Sequence, residues 1–110
     1  MPQKYYEKDL VKAVLDYLHL LRADPATGFK VKAWRNNTGG TMINNHFVRY
    51  GFKGSSDILG IMPDGRFLAI ECKLGKAPLT PEQQEFISWV RERGGVAIIA
   101  RSLNDVIRVI

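Results

Sequence analysis

The sequence predicts an α/β domain in the order helix, three strands, helix, strand and short helix, with a mixed four-stranded sheet flanked by helices. Three patterns carry that expectation. Tyr6, Leu10, Val14, Tyr17, Leu18 and Leu21 recur every three or four positions, the stripe of an amphipathic helix. Two apolar runs, Asp57 to Met62 and Phe67 to Lys73, are separated by Pro63-Asp64-Gly65, whose turn chemistry folds the second back on the first. Thr80-Pro81-Glu82-Gln83 opens a second helix, and Gly94-Gly95 closes it just before the apolar run Val96 to Ala100.

The first helix is expected over Tyr5 to Arg22, where Asp24-Pro25-Ala26-Thr27-Gly28 stops it. Phe29 to Arg35 alternates as a strand does and ends in Asn36-Asn37-Thr38-Gly39-Gly40, read as a loop. Residues 41 to 50 show no assignable period. The hairpin of the two apolar runs follows, and Gly75-Lys76-Ala77-Pro78 leads out of it. Thr80 caps the second helix with Pro81 at its first position, and the helix is expected to run through Arg93. Val96 to Ala100 reads as a buried strand, and Ser102 as the cap of a last short helix to Ile110. There is no repeat, linker or low-complexity tract.

Composition bounds the function. The chain has 110 residues, which fits one domain over 1–110, and its 45% hydrophobic content excludes disorder. Sixteen Lys+Arg against eleven Asp+Glu give +5, a balance that favours a polyanionic partner. One cysteine, Cys72, allows no intrachain disulfide, and with only two histidines it cannot build a structural zinc site. No apolar stretch approaches the ~20 residues of a membrane span, and no signal-peptide core follows Met1, so no membrane partner is expected and a cytoplasmic location is the default.

The chemistry concentrates between Gly51 and Lys73. Strand side chains alternate, so Glu71 and Lys73 project together while Cys72 points the other way, and the turn returns Glu71 towards Asp57. Two carboxylates so placed can hold one divalent cation with an ammonium beside it, the outline of a metal-dependent phosphodiesterase. A hard cation such as Mg²⁺ or Mn²⁺ prefers oxygen ligands, which makes Asp57, Glu71 and the main-chain carbonyl of Cys72 a plausible partial shell. A carboxylate in an apolar strand needs a partner. The competing reading makes Glu71 and Lys73 a surface ion pair on an edge strand, and Asp57 a turn residue capping Gly54-Ser55-Ser56.

Four blocks in this order resemble the virus-type replication-repair nuclease (VRR-NUC) branch of the PD-(D/E)xK nuclease superfamily, in its stand-alone phage and bacterial form. They are Trp34-Arg35-Asn36-Asn37-Thr38-Gly39, then Gly51 to Gly60, then Glu71-Cys72-Lys73, then Leu79-Thr80-Pro81-Glu82-Gln83. Ser56 stands where the wider superfamily has a proline before the aspartate, as is usual in this branch. The resemblance implies a restriction-endonuclease-like fold and a magnesium- or manganese-dependent DNA nuclease. Asp57, Glu71 and Lys73 would form its catalytic core, Gln83 would assist, and the products would carry 5′-phosphate and 3′-hydroxyl ends. Glu7, at the start of the first helix, would reach the metal as in related nucleases, or serve only as a first-turn acid favoured by the helix dipole. Four-way junction substrates, and the twofold homodimer that paired cuts require, belong to the same implication. A helicase or other replication-repair partner is left unidentified.

Gln83 lies three residues after Thr80, so a capping box explains it structurally. For DNA contact the candidates are Arg35, Asn37, Lys53, Ser55 and Lys76, all phosphate donors in loops or strand ends near the acids. His46 is a further phosphate candidate, whereas His19 falls on the polar face of the first helix. Trp34 and Trp89 read as core or interface, and Val106, Ile107, Val109 and Ile110 either close the core or join an interface. Two rival functions remain at this level: a catalytically silent nucleic-acid-binding module, and a small structural or protein-binding α/β domain.

Overall fold

A computed structural model describes residues 4–21 and 30–110. The expected end of the first helix at Arg22, its Asp24–Gly28 stop and the start of a strand at Phe29 lie outside the described residues. Helix α1 (Glu7–Leu20) begins where Asp9 Oδ2 accepts from the Tyr6 N–H at 2.7 Å, and it buries Leu10, Val11, Val14 and Leu18. These four follow the helical period and face the sheet.

The main sheet has the order β1-β4-β5-β6. Strand β1 (Lys32–Arg35) pairs antiparallel with β4 (Ile58–Ile61), and β4 pairs antiparallel with β5 (Phe67–Cys72). The β4–β5 turn closes with Met62 N–H to Arg66 O at 2.9 Å, and Gly65 takes the positive φ of 91° that the turn demands. Helix α2 (Pro81–Glu92) then carries the chain back so that β6 (Val96–Ala100) runs parallel to β5, as a parallel pairing requires of its connection. Short helix α3 (Leu103–Ile107) ends the chain's regular structure, stopping short of the expected Ile110. Asp105 Oδ2 accepts the N–H groups of Arg101 and Ser102 at its start.

Strand β5 is the centre of the molecule. Leu68, Ile70 and Cys72 point into the core shared with α1 and Val106 of α3, while Ala69 packs on the other face against Phe86 and Val90 of α2. Both faces are therefore covered, and the strand is buried from Leu68 to Cys72.

Residues 36–56 depart from expectation. Gly39 and Gly40 belong not to a loop but to β2 (Gly39–Ile43), which pairs with β3 (His46–Tyr50) in a second, two-stranded sheet. Among the described residues five strands thus precede α2 rather than three. Asn44 and Asn45, at φ 49° and 65°, make the two-residue connection, the left-handed conformation that a tight hairpin needs and that asparagine tolerates. With both faces of this hairpin in solvent, burial imposes no alternation on its sequence. Of the two readings of Trp34 and Trp89, core or interface, exposures of 44% and 51% go against the core. Val106 is fully buried and Ile110 packs against the same core, while Ile107 and Val109 remain exposed.

Candidate active site

The register of β4 against β5 builds the site. Ile58 lies opposite Ile70, and one further step along both strands sets Asp57 against Glu71 on the sheet face that α2 covers. Asp57 leaves the ladder and turns its carboxylate inward, where Oδ2 accepts the Cys72 N–H at 2.8 Å. Its main-chain carbonyl accepts from Asn36 N–H at 2.8 Å, which ties the end of β1 to the same point. Glu71 is 3% exposed, and its Oε2 has no hydrogen-bond partner. A buried carboxylate oxygen left without a donor is costly unless a proton or a cation attends it.

Electrostatics agree with the geometry. Burial and then the neighbouring Asp57 carboxylate push Glu71 up to about 8. Burial likewise raises Asp57, and the Cys72 N–H only partly offsets it. Asp57 raises Glu71 by its charge and by a side-chain hydrogen bond, while the same bond lowers Asp57, so the proton of the pair rests on Glu71 near neutral pH. Lys73, next along the chain, opposes this by stabilising both carboxylates; its own N–H is anchored to Ala100 O at 3.0 Å. Glu7 is exposed at the first turn of α1, yet its charge acts on Asp57, Glu71 and Cys72 alike, which places it at the rim of the same site. The Cys72 thiol, pushed up to about 12 by burial and these three acids, stays protonated and packs as a small apolar group.

The donor set suits a hard cation held by few protein ligands. Among the described residues no cluster of three or more His, Cys, Asp or Glu side chains stands ready to enclose a metal. Two carboxyls with raised proton affinity, one with a buried oxygen that lacks a donor, nonetheless fit a cation as an oxygen-donor pair. An ion such as Mg²⁺ is usually bound by one or two carboxylates, with water and phosphate completing its shell.

Two residues missed from the sequence support the pair. Asn36 donates from Nδ2 to Ser55 Oγ at 2.7 Å and to Ser56 O at 3.0 Å, clamping the loop that ends in Asp57. Ser56, 1% exposed, carries the second buried oxygen without a partner. The signal for Asn36 lay in the turn-rich block 36–40, and that for Ser56 in its place directly before Asp57.

The other expected residues divide. Arg35, opposite Ile58 at the end of β1, and Asn37 beside it are exposed close to Asp57. Lys76 is exposed in the loop after β5. Lys53 lies 3.5 Å from Glu82 at the start of α2, an exposed pair that a phosphate can readily break. The Ser55 hydroxyl is already engaged, donating to Phe52 O at 2.6 Å and accepting from Asn36, so its contribution is to the shape of the loop. Gln83 makes the capping box, its Oε1 accepting from Thr80 N–H at 2.9 Å and its N–H donating to Thr80 Oγ1 at 3.2 Å. Gly54, at φ 88°, lets this loop close on α2: a Cβ there would meet the Glu82 carbonyl at 2.6 Å. A groove of about 350 Å³ between Phe52, Phe86 and Trp89 flanks the loop, but its walls include neither acid.

A buried Glu71 and a half-buried Asp57 with a lysine next in line sit where an antiparallel pair meets a parallel one in a mixed α/β sheet. The chain belongs to the VRR-NUC domain family, whose model matches residues 32–104 and so spans β1 through the start of α3. That family implies a restriction-endonuclease-like fold and nuclease activity in general. Comparisons with curated proteins and with solved structures gave no match.

Proposed function

We propose that this protein is a divalent-cation-dependent DNA endonuclease whose centre is Asp57, Glu71 and Lys73. The observation that carries the reading is the pairing of half-buried Asp57 with buried Glu71, whose Oε2 is unpartnered and whose carboxyl is raised to about 8. Asp57, Glu71 and the Cys72 carbonyl would hold Mg²⁺ or Mn²⁺. When bound, the cation would supply positive charge against the scissile phosphate and make a bound water more acidic. The Cys72 N–H fixes the Asp57 carboxylate, and burial in β5 fixes Glu71, so the acids need no reorganisation before reaction. Lys73 projects beside them, placed to hold or deprotonate a water and to stabilise charge on the phosphate. Attack of that water on phosphorus breaks the P–O3′ bond, leaving 5′-phosphate and 3′-hydroxyl ends. Gln83 assists through its amide nitrogen, which the capping box leaves available. Glu7 adds a rim carboxylate, and Arg35, Asn37, Lys53 and Lys76 receive backbone phosphates, with Ser55 shaping the loop between them.

One such centre cuts one strand, and paired cuts across a four-way junction call for a twofold homodimer. Exposed Trp89, Ile107 and Val109 supply apolar area for that second copy. The test is incubation of purified protein with linear, flap and four-way DNA plus Mg²⁺ or Mn²⁺. Symmetrical nicks on the junction are expected in preference to cleavage of linear duplex, and no cleavage of any substrate with either metal would overturn the assignment.

A further inference from the structure

The β2–β3 hairpin has no place in the chemistry above, and its construction is unusual. Met42, Ile43, Phe47, Val48 and Tyr50 are all between 40% and 62% exposed, in strands that among the described residues pair only with each other. An isolated two-stranded hairpin is marginal in water, and exposed apolar side chains on one suggest a partner that covers them. Directly paired residues share a face, so Met42 and Phe47 lie together with Gly40 and Arg49. The absence of a side chain at Gly40 is used: a Cβ there would sit 2.2 Å from Phe47 Cζ, so the far edge of the ring covers that glycine. The Arg49 guanidinium carbon lies 5.7 Å from the same ring's centroid. The result is an aromatic ring held against the backbone beside a cation.

Charge identifies the occupant. From Asn36 to Ser56 there is no Asp or Glu, while His46, Arg49 and Lys53 fall within the segment. Twofold self-pairing of this face would set Arg49 against Arg49, whereas a polyanion with unsaturated rings matches both features. The hairpin is also rooted at the site, because Asn36 at one foot bonds Ser55, Ser56 and Asp57 at the other. Strands of this length project it ~16 Å beyond that root.

We propose that the Met42–Phe47–Arg49 face of the hairpin is a stacking platform for unpaired bases, holding a single-stranded segment of DNA next to the Asp57–Glu71 centre. It rests on the nuclease reading for its substrate and adds to it the part of that substrate which is unpaired. Stacking on one aromatic side chain changes affinity by about tenfold or more, with little dependence on base identity.

The test is binding, in EDTA, of a single-stranded thymidine oligonucleotide carrying one 2-aminopurine, together with plasmid cleavage in Mg²⁺ or Mn²⁺ by the unaltered protein. Quenching of the 2-aminopurine and loss of about tenfold in affinity for Phe47→Ala are expected. Phe47→Trp should retain binding, and Gly40→Ala, which displaces the ring, should weaken it. If plasmid is cleaved but Phe47→Ala binds the oligonucleotide as tightly as the unaltered protein, the platform is overturned and the nuclease reading stands. If neither plasmid nor linear, flap or four-way DNA is cleaved yet binding still depends on Phe47, the platform stands and the nuclease reading fails. Loss of self-association in Phe47→Ala at unchanged oligonucleotide affinity would make a second copy the occupant and overturn the proposal.

Discussion

Two antiparallel hairpins in this chain share a design and differ in nearly every consequence of it. The β4–β5 hairpin turns on Pro63-Asp64-Gly65 and is covered on both faces; the β2–β3 hairpin turns on Asn44-Asn45 and is covered on neither. Burial gives the first a fixed register, and that register sets Asp57 opposite Glu71 in surroundings where carboxyls resist ionisation. Exposure leaves the second without a core of its own, so its aromatic and basic side chains are available to something outside the chain. The proposed catalytic centre and the proposed substrate platform lie at opposite ends of one continuous segment, joined through Asn36 and the Gly51–Asp57 loop.

The largest separation of the two regions is expected in catalysis. Asp57→Asn, Glu71→Gln and Lys73→Ala should each reduce DNA cleavage at least ~10²-fold in a single-turnover assay, as loss of a metal ligand or charge stabiliser does. Near-normal cleavage by Lys73→Ala would break the proposed mechanism.

Stability should divide the same way. Ile70→Ala removes a fully buried side chain from the central strand and should cost about 2–5 kcal/mol in denaturant unfolding. Val48→Ala on the outer hairpin should stay within about 0.5 kcal/mol. Comparable losses at both positions would show the hairpin to be packed, contrary to the exposure of its side chains.

A smaller effect is expected from pH. Glu71 holds a proton in the folded state up to about 8, against an ordinary value of 4.5, so between these the folded protein binds a proton that the unfolded chain releases. Stability of the metal-free protein should therefore be full below pH 4.5 for this group and fall as pH rises towards 8, by no more than about 1.4 kcal/mol per unit. Glu71→Gln should flatten that slope. A slope unchanged by the substitution would place the proton elsewhere.

The smallest effects separate scaffold from site at the two helix starts. Gln83→Ala removes one arm of the capping box and should cost about 1 kcal/mol. Glu7→Gln, at an exposed position, should cost less than about 0.5 kcal/mol. Cleavage should fall further than these losses explain; a lowered Tm with unchanged specific activity would return both residues to structural roles.

What the sequence made legible follows the same boundary. Leu10, Val14 and Leu18 recur at the helical period because one side of α1 faces the sheet, and Thr80-Pro81 marks α2 because the first turn needs that capping. Asp57 and Glu71 could be paired on paper because a tight turn and period-2 alternation fix which side chains meet. Where burial imposed no pattern, the reading stopped. Residues 41–50 alternate against nothing, and their turn uses Asn-Asn without the glycine that usually announces it. Trp89 sits on α2 at a position that the helical stripe of Phe86, Ile87 and Val90 leaves outside, which separates the core reading from the interface one. The orphaned oxygens of Glu71 and Ser56 depend on atoms brought together in three dimensions, and no spacing rule reveals them.

The central claim is that Asp57 and Glu71 form a cation site whose proton is exchanged for metal. Calorimetric titration of Mn²⁺ into the protein at neutral pH, in buffers of differing ionisation enthalpy, reads both the binding and the proton released. The account predicts a saturable site that releases protons, is lost in Glu71→Gln and persists in Lys73→Ala. Equal Mn²⁺ binding by the unaltered protein and Glu71→Gln would contradict it.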